Sequence, residues 1–118
     1  MSIQVVLENS ELILDISGWT AVTNLRRRIK IPYNSVVDVQ TGNFKFPLTA
    51  IKRTGITTLD YKAGIFLIDG KKHFLTYHED SKVIILSLKE NEFDKVVIES
   101  EDPEQLANNI LLRCSSLK

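Results

Sequence analysis

The sequence predicts a mainly β fold: a partly open, antiparallel barrel or roll of about seven strands, capped by one C-terminal α-helix. Three observations point there. Short apolar runs alternate with a period of two along most of the chain. Turn-forming residues separate them, Asp69-Gly70 most clearly. The final stretch, about 102–114, changes to helical spacing. A two-layer sandwich would not need that helix. A single curled sheet, splayed at one end, needs a plug there.

Each element has its own warrant. Ile3–Glu8 is a weak strand candidate, and Asn9-Ser10 a turn. Glu11–Ser17 sets Leu12, Leu14 and Ile16 on one face and Glu11, Asp15 and Ser17 on the other, with Ile13 the exception. "GWTAVTNL" from Gly18 reads as a turn and an irregular connection, with Trp19 and Val22 available to cap a core. "RRIKIP" and "SVVDVQT" form the next pair of strands, joined by a corner at Pro32–Ser35, since Pro32 cannot donate to a ladder. Val37 and Val39 are expected inward; Val36, Asp38 and Gln40 are not. Residues 42–61 are the least regular. There Pro47 could open a short helix through Leu48, Ala50 and Ile51 that Gly55 stops, and an extended loop fits "TGITTLD" equally well.

Beyond Ala63 the pattern is clean. "AGIFLID" is apolar on both faces, as a central or well-covered strand is. Asp69-Gly70 suits a type I′ hairpin leading into "KKHFLTYH", and "HEDSK" turns again. "VIILSLK" points Ile84, Leu86 and Leu88 one way, and "FDKVVIES" is the last strand. Asp102 then serves as N-cap, Pro103 as first helical residue and Gln105 as the capping-box partner. Leu106, Ile110 and Cys114 make an apolar stripe flanked by Ala107 and Leu111.

A length of 118 residues predicts one domain, 1–118, with no staple required. Fifteen basic and 15 acidic side chains give a formal net charge of zero. No global field draws such a chain to nucleic acid or an anionic membrane; only a local patch could. The single cysteine, Cys114, excludes an intrachain disulfide and reads as a packed thiol. The start lacks the basic n-region of a secretory signal, and no stretch approaches the roughly 18–20 apolar residues of a membrane span. A cytoplasmic location is expected.

The segments Leu25–Val39 ("LRRRIKIPYNSVVDV"), Arg53–Phe66 ("RTGITTLDYKAGIF") and Phe93–Ile110 ("FDKVVIESEDPEQLANNI") resemble the bacterial pleckstrin-homology-like (PH-like) domain proteins. The resemblance spans Glu11 to Arg113 and rests on structural punctuation: a basic strand ending in Ile-Pro, a Gly before a strand, Asp-Pro opening the last helix. It implies a seven-stranded barrel with a C-terminal helix. Eukaryotic phosphoinositide-binding members carry a Lys on the first strand and Lys/Arg-x-Arg on the second. Arg26 and Arg28 match the second part, but Arg26 is the first basic residue of this chain, so the first part has no counterpart. Their helix Trp is absent too; Trp19 is far upstream. Phosphoinositide binding is therefore not implied.

Candidate chemistry centres on Arg26, Arg27, Arg28 and Lys30. With Ile29 and Ile31 inward, Arg26, Arg28 and Lys30 form an outward stripe at about 6.6–7 Å spacing, suited to an anion or an acidic partner. The simpler explanation is cross-strand pairing with Glu11 and Asp15 on the preceding strand and Asp38 on the following one. Arg27 falls on the apolar parity. His73 and His78 are five apart and so face opposite ways on a strand; no metal site is expected, and His78-Glu79-Asp80 reads as a hydrated turn. No GxSxG elbow and no glycine-rich phosphate loop occur. No cofactor is expected. Aromatics do not interleave with the basic stripe, so nucleic acid is not indicated. Val36, Ile13, Phe66 or Ile68, and Val83 or Ile85 fall opposite the presumed core, which points to an outer face covered by self-association or a partner protein.

The resulting expectation is a non-enzymatic binding or assembly module. Its partner is a protein or peptide, or a second copy of the chain, met at a sheet edge or at the rim near Arg26–Arg28. One alternative is anionic lipid-headgroup or anion binding by the basic stripe, although peripheral membrane contact is not favoured. The other is a small enzyme with a site in the 44–61 loop.

Overall fold

A computed structural model describes residues 2–17, 27–57 and 61–114. The connection carrying Trp19, Val22 and Arg26 lies outside them. The strands are β1 (Ser2–Leu7), β2 (Glu11–Ser17), β3 (Arg27–Pro32), β4 (Val36–Gly42), β5 (Ile51–Thr57), β6 (Lys62–Ile68), β7 (Lys71–Tyr77), β8 (Val83–Leu88) and β9 (Lys95–Glu99); one helix follows, α1 (Pro103–Arg113). The strands make two sheets, β1-β2-β3 and β4-β8-β9-β7-β6-β5. The fold is mainly β with one C-terminal helix, as expected; nine strands, not about seven, are present among the described residues, and they form two sheets that do not close on each other. All neighbouring strands are antiparallel except β7 and β9, which run parallel.

The two extra strands have physical causes. The weak apolar alternation of β1 suffices because it pairs along its whole length with the strong strand β2, Val5 opposite Leu14. The second is β5, where a helix from Pro47 or a loop was expected. Pro47–Ala50 is only a turn, closed by the Ala50 N–H to the Pro47 carbonyl at 3.2 Å, and Leu48 stands wholly in solvent. No apolar face exists there to hold a helix, whereas Ile51, Thr54, Ile56 and Thr57 are β-branched and pair with β6.

The corner at Pro32–Ser35 is a 3-10 turn, Tyr33–Ser35, at which the chain leaves one sheet for the other. The Tyr33 hydroxyl donates to the Glu8 carbonyl at 2.8 Å, and its N–H to the Ser10 carbonyl at 3.2 Å, tying the corner to the β1–β2 turn. The inward assignment of Val37 is corrected. Val36 is 1% exposed and Val37 43%, because the register slips between Val36 and Asp38. That bulge adds one residue and reverses the parity before Val39, which does pack on the core. The hairpin at Asp69-Gly70 has φ of +54° and +76°, as a type I′ turn requires.

The main core lies between the sheets. Leu12, Leu14, Ile29 and Ile31 meet Ile84, Leu86, Val96 and Ile98, and Ala107 and Ile110 of α1, with Cys114 just past its end, close one end. Cys114 is fully buried there. The Asp102 carboxylate accepts the Gln105 N–H at 3.1 Å. The capping box is half made, since the Asp102 N–H goes instead to the Ser100 hydroxyl at 3.3 Å.

The outer face of the large sheet carries a second cluster: Phe66, Ile68, Leu75, Tyr77, Val83, Ile85 and Val97. It is covered by the chain itself. Phe44, Phe46 and Ala50 lie across it, with Phe46 edge-on to Phe66 at 5.3 Å and Phe44 edge-on to Tyr77 at 5.8 Å. The cover expected from a partner is therefore residues 43–50. Val36 leaves that outer set for the main core, and Ile13, on the far face of the small sheet, is buried as well.

Candidate functional site

The small sheet holds the basic residues singled out in the sequence. Arg27 belongs to β3, opposite Ile16, and its side chain lies outside the described residues, as Arg26 does entirely. Arg28 and Lys30 are exposed on the face away from the core, opposite Asp15 and Ile13. Glu11 stands opposite Pro32. Asp38 is not a neighbour of this strand. Its strand, β4, belongs to the other sheet, and its carboxylate accepts from the Gln40 amide at 2.9 Å. The fold brings Arg28 and Lys30 to no cleft described below.

The principal cleft is elsewhere, in the seam between β1 and the corner from β9 to α1. At one end Ile3, Tyr61, Thr76, His78 and Glu99 enclose about 130 Å³. The Tyr61 and His78 rings stack at 4.2 Å, 21° from parallel. Glu99 Oε1 accepts the His78 N–H at 3.0 Å, and His78 Nδ1 lies 3.3 Å from the same oxygen. Burial pushes the Tyr61 hydroxyl pKa up; its hydrogen bond with Thr76 opposes this, and the Glu99 charge adds to it. Sharing Ile3 and Glu99 with that cavity, a longer groove of about 420 Å³ continues between Ile3 and Val5 on one bank and Glu101, Asp102, Gln105, Leu106 and Asn109 on the other.

Local sequence explains this layout. Ile3 and Val5 point inward by strand parity, so their flanks form an apolar floor with Leu106 of α1. Glu99 ends β9, and Glu101 and Asp102 precede a helix, where acids complement the N-terminal dipole. The seam is thus apolar below and acidic at the rim. Among the described residues no group of three or more His, Cys, Asp or Glu could hold a metal ion. The fully buried Cys114 lies in the core, and His73 lies under residues 43–50.

Sequence reasoning missed Glu99, Tyr61 and the Ile3/Val5 bank. One signal existed: β1 contains no charged residue, proline or glycine, unlike a strand protected against company.

Neither the curated proteins nor the solved structures contain a match to this chain. The family model for the bacterial PH domain matches residues 8–113, beginning immediately after β1 and ending with α1. The matched region takes in the basic strand ending in Ile-Pro, the hairpin-linked sheet and the Asp-Pro helix start. By sequence and architecture together, this chain belongs to the bacterial PH domain family.

Proposed function

We propose that this domain is a non-catalytic binding module that captures an extended segment of a partner protein along the free edge of β1. The observation that carries the reading is the contrast among the four sheet edges. β3 ends in Pro32 and bears Arg28 and Lys30. β5 has a register break and exposes Lys52 and Arg53. β4 is bulged, and α1 packs on it. Each of these is a known way to discourage strand addition. β1, Ser-Ile-Gln-Val-Val-Leu, has no such device and pairs with β2 without a slip.

A strand added to β1 gains backbone hydrogen bonds, while the groove takes alternate side chains. The groove chemistry selects a segment that alternates apolar and basic residues. The apolar ones meet Ile3, Val5 and Leu106, and the basic ones meet Glu99, Glu101 and Asp102. β1 precedes the region matched by the family model.

The test uses a capped peptide alternating lysine and valine, followed by amide NMR on the whole chain. Shifts at Ile3–Leu7, Glu99 and Leu106, with slowed exchange of β1 amides, are the expected result. A glutamate–valine peptide should bind at least about tenfold more weakly. Shifts confined to β3 or β5, or none, would exclude the reading.

A further inference from the structure

A second cavity lies on the outer face of the large sheet, at the opposite end of β9 from Glu99. It encloses about 300 Å³ and is lined by Phe44, Lys45, Pro47, Ile68, Asp69, Lys71, His73 and Lys95. Three separate parts of the chain build it. The type I′ hairpin sets Ile68 opposite Lys71. The parallel ladder sets His73 beside Lys95. Residues 43–50 lie over the sheet and bring Phe44, Lys45 and Pro47 to the mouth.

Two features of this cavity have no role in the fold described so far. Its lining carries three lysines, Lys45, Lys71 and Lys95, against one carboxylate, Asp69. The ion pairs seen elsewhere, Lys72 with Glu92, His78 with Glu99 and Lys82 with Glu79, do not include these three lysines. The nearby Asp94 carboxylate accepts the Lys72 N–H at 2.8 Å. The other feature is His73, only 4% exposed. Its Nδ1 lies 3.0 Å from the Lys71 carbonyl oxygen, so Nδ1 carries a proton and donates. Nε2 has no partner among the described residues. In the neutral ring Nε2 is an acceptor, which an oxyanion cannot satisfy; only the protonated ring offers a donor there.

We propose that this cavity binds a tetrahedral oxyanion, either free sulfate or phosphate or the phosphate end of a larger molecule, between Lys45, Lys71 and Lys95 with His73 at its floor. Ammonium groups donate charge-assisted hydrogen bonds to such an anion from several directions. The volume leaves room for part of its hydration shell. Protonation of His73 at Nε2 turns it into a further donor, so anion binding and proton uptake reinforce each other. The charged groups bordering the ring are Lys45 on the covering segment, Asp69 on the hairpin, Lys71 on β7 and Lys95 on β9, with Asp94 adjoining. This site stands apart from the β1 groove, so either can fail without the other.

Sulfate is the first probe, because it stays doubly charged throughout the relevant range. It is titrated into the whole chain at constant ionic strength and followed by NMR. The expected result is saturable shifts at Lys45, Lys71, His73 and Lys95 within tens of millimolar, with affinity rising as pH falls from about 7 into the acidic range, where the buried His73 takes up its proton. The double variant Lys45→Gln/Lys71→Gln replaces exposed residues and should keep its melting temperature while binding at least about tenfold more weakly. The variant Arg28→Ala/Lys30→Ala should bind as the parent does. Vesicles of phosphatidylcholine with phosphatidic acid then identify the source. Sedimentation abolished by Lys45→Gln/Lys71→Gln assigns a lipid phosphate; sulfate binding without sedimentation assigns a free anion. No saturable shift, or saturation unchanged in the Lys45→Gln/Lys71→Gln variant, overturns the proposal.

Discussion

Burial strips an imidazole of the water that solvates its charged form. His73 therefore has a pKa below the ordinary histidine value, chiefly through desolvation, with the Lys71 carbonyl pulling the other way. The unfolded chain takes up a proton as pH falls through about 6.5, whereas the folded chain resists it until the lower native pKa is reached. The His73 contribution to stability is complete above the unfolded value and is lost as pH falls through that window. Urea unfolding of the wild type should show this loss between neutral and mildly acidic pH, and His73→Gln should flatten it. Tyr77 gives the mirror case at high pH. Burial raises it to about 12, so its contribution holds up to the ordinary tyrosine value and fades as pH rises towards 12. At this scale the sequence was partly legible. Asp69-Gly70 declared its turn because few pairs tolerate two positive φ angles. Val36 and Val37 were exchanged because a bulge leaves no trace in composition.

Residues 43–50 act as a lid sewn onto the outer sheet face. The Phe44 N–H donates to the Asp80 carbonyl at 3.0 Å, and Lys62 lies 5.4 Å from the Phe46 ring centre. Phe46→Ala should destabilise the fold by about 2–3 kcal/mol, less than a fully enclosed phenylalanine, because Phe46 is only half-buried. Leu48→Ala, two residues away but wholly in solvent, should stay within about 0.5 kcal/mol. Denaturant melts of the two variants make the comparison. Strands with one wet face were readable from alternation, as was α1 from its cap and stripe. The covering segment was not, since its phenylalanines contact a sheet face without joining any ladder. β5 was obscured by its glycine and by basic residues that mark an edge, not by a lack of β-branched residues.

For the molecule as a whole, zero net charge conceals a separation. Lys95 and Glu99 sit at the two ends of β9, and each belongs to a cavity of its own sign. No count of charges reveals that; it requires knowing that β9 is the strand about which both cavities are arranged. The candidate site of the sequence, on β3, and the two clefts described above are different places for the same reason. Periodicity tells which face of a strand is wet, but only topology tells which strands meet. Among the described residues, no helix is long and apolar enough to cross a membrane.

That central strand has a consequence for how the chain is made. β9 is inserted between β7 and β8, so the large sheet consists of two disconnected pieces, β5-β6-β7 and β4-β8, until it arrives. Ribosomal synthesis adds about 5–20 residues each second from the N-terminus, so the keystone emerges after every other strand. Until then two apolar edges wait open, and pairings distant in sequence must form late and slowly. A chain ending at Glu92 should show no cooperative unfolding transition and should be digested rapidly by protease, although it retains eight of its strands. In the cell, the interval before residue 99 leaves the ribosome is when this protein most needs a chaperone.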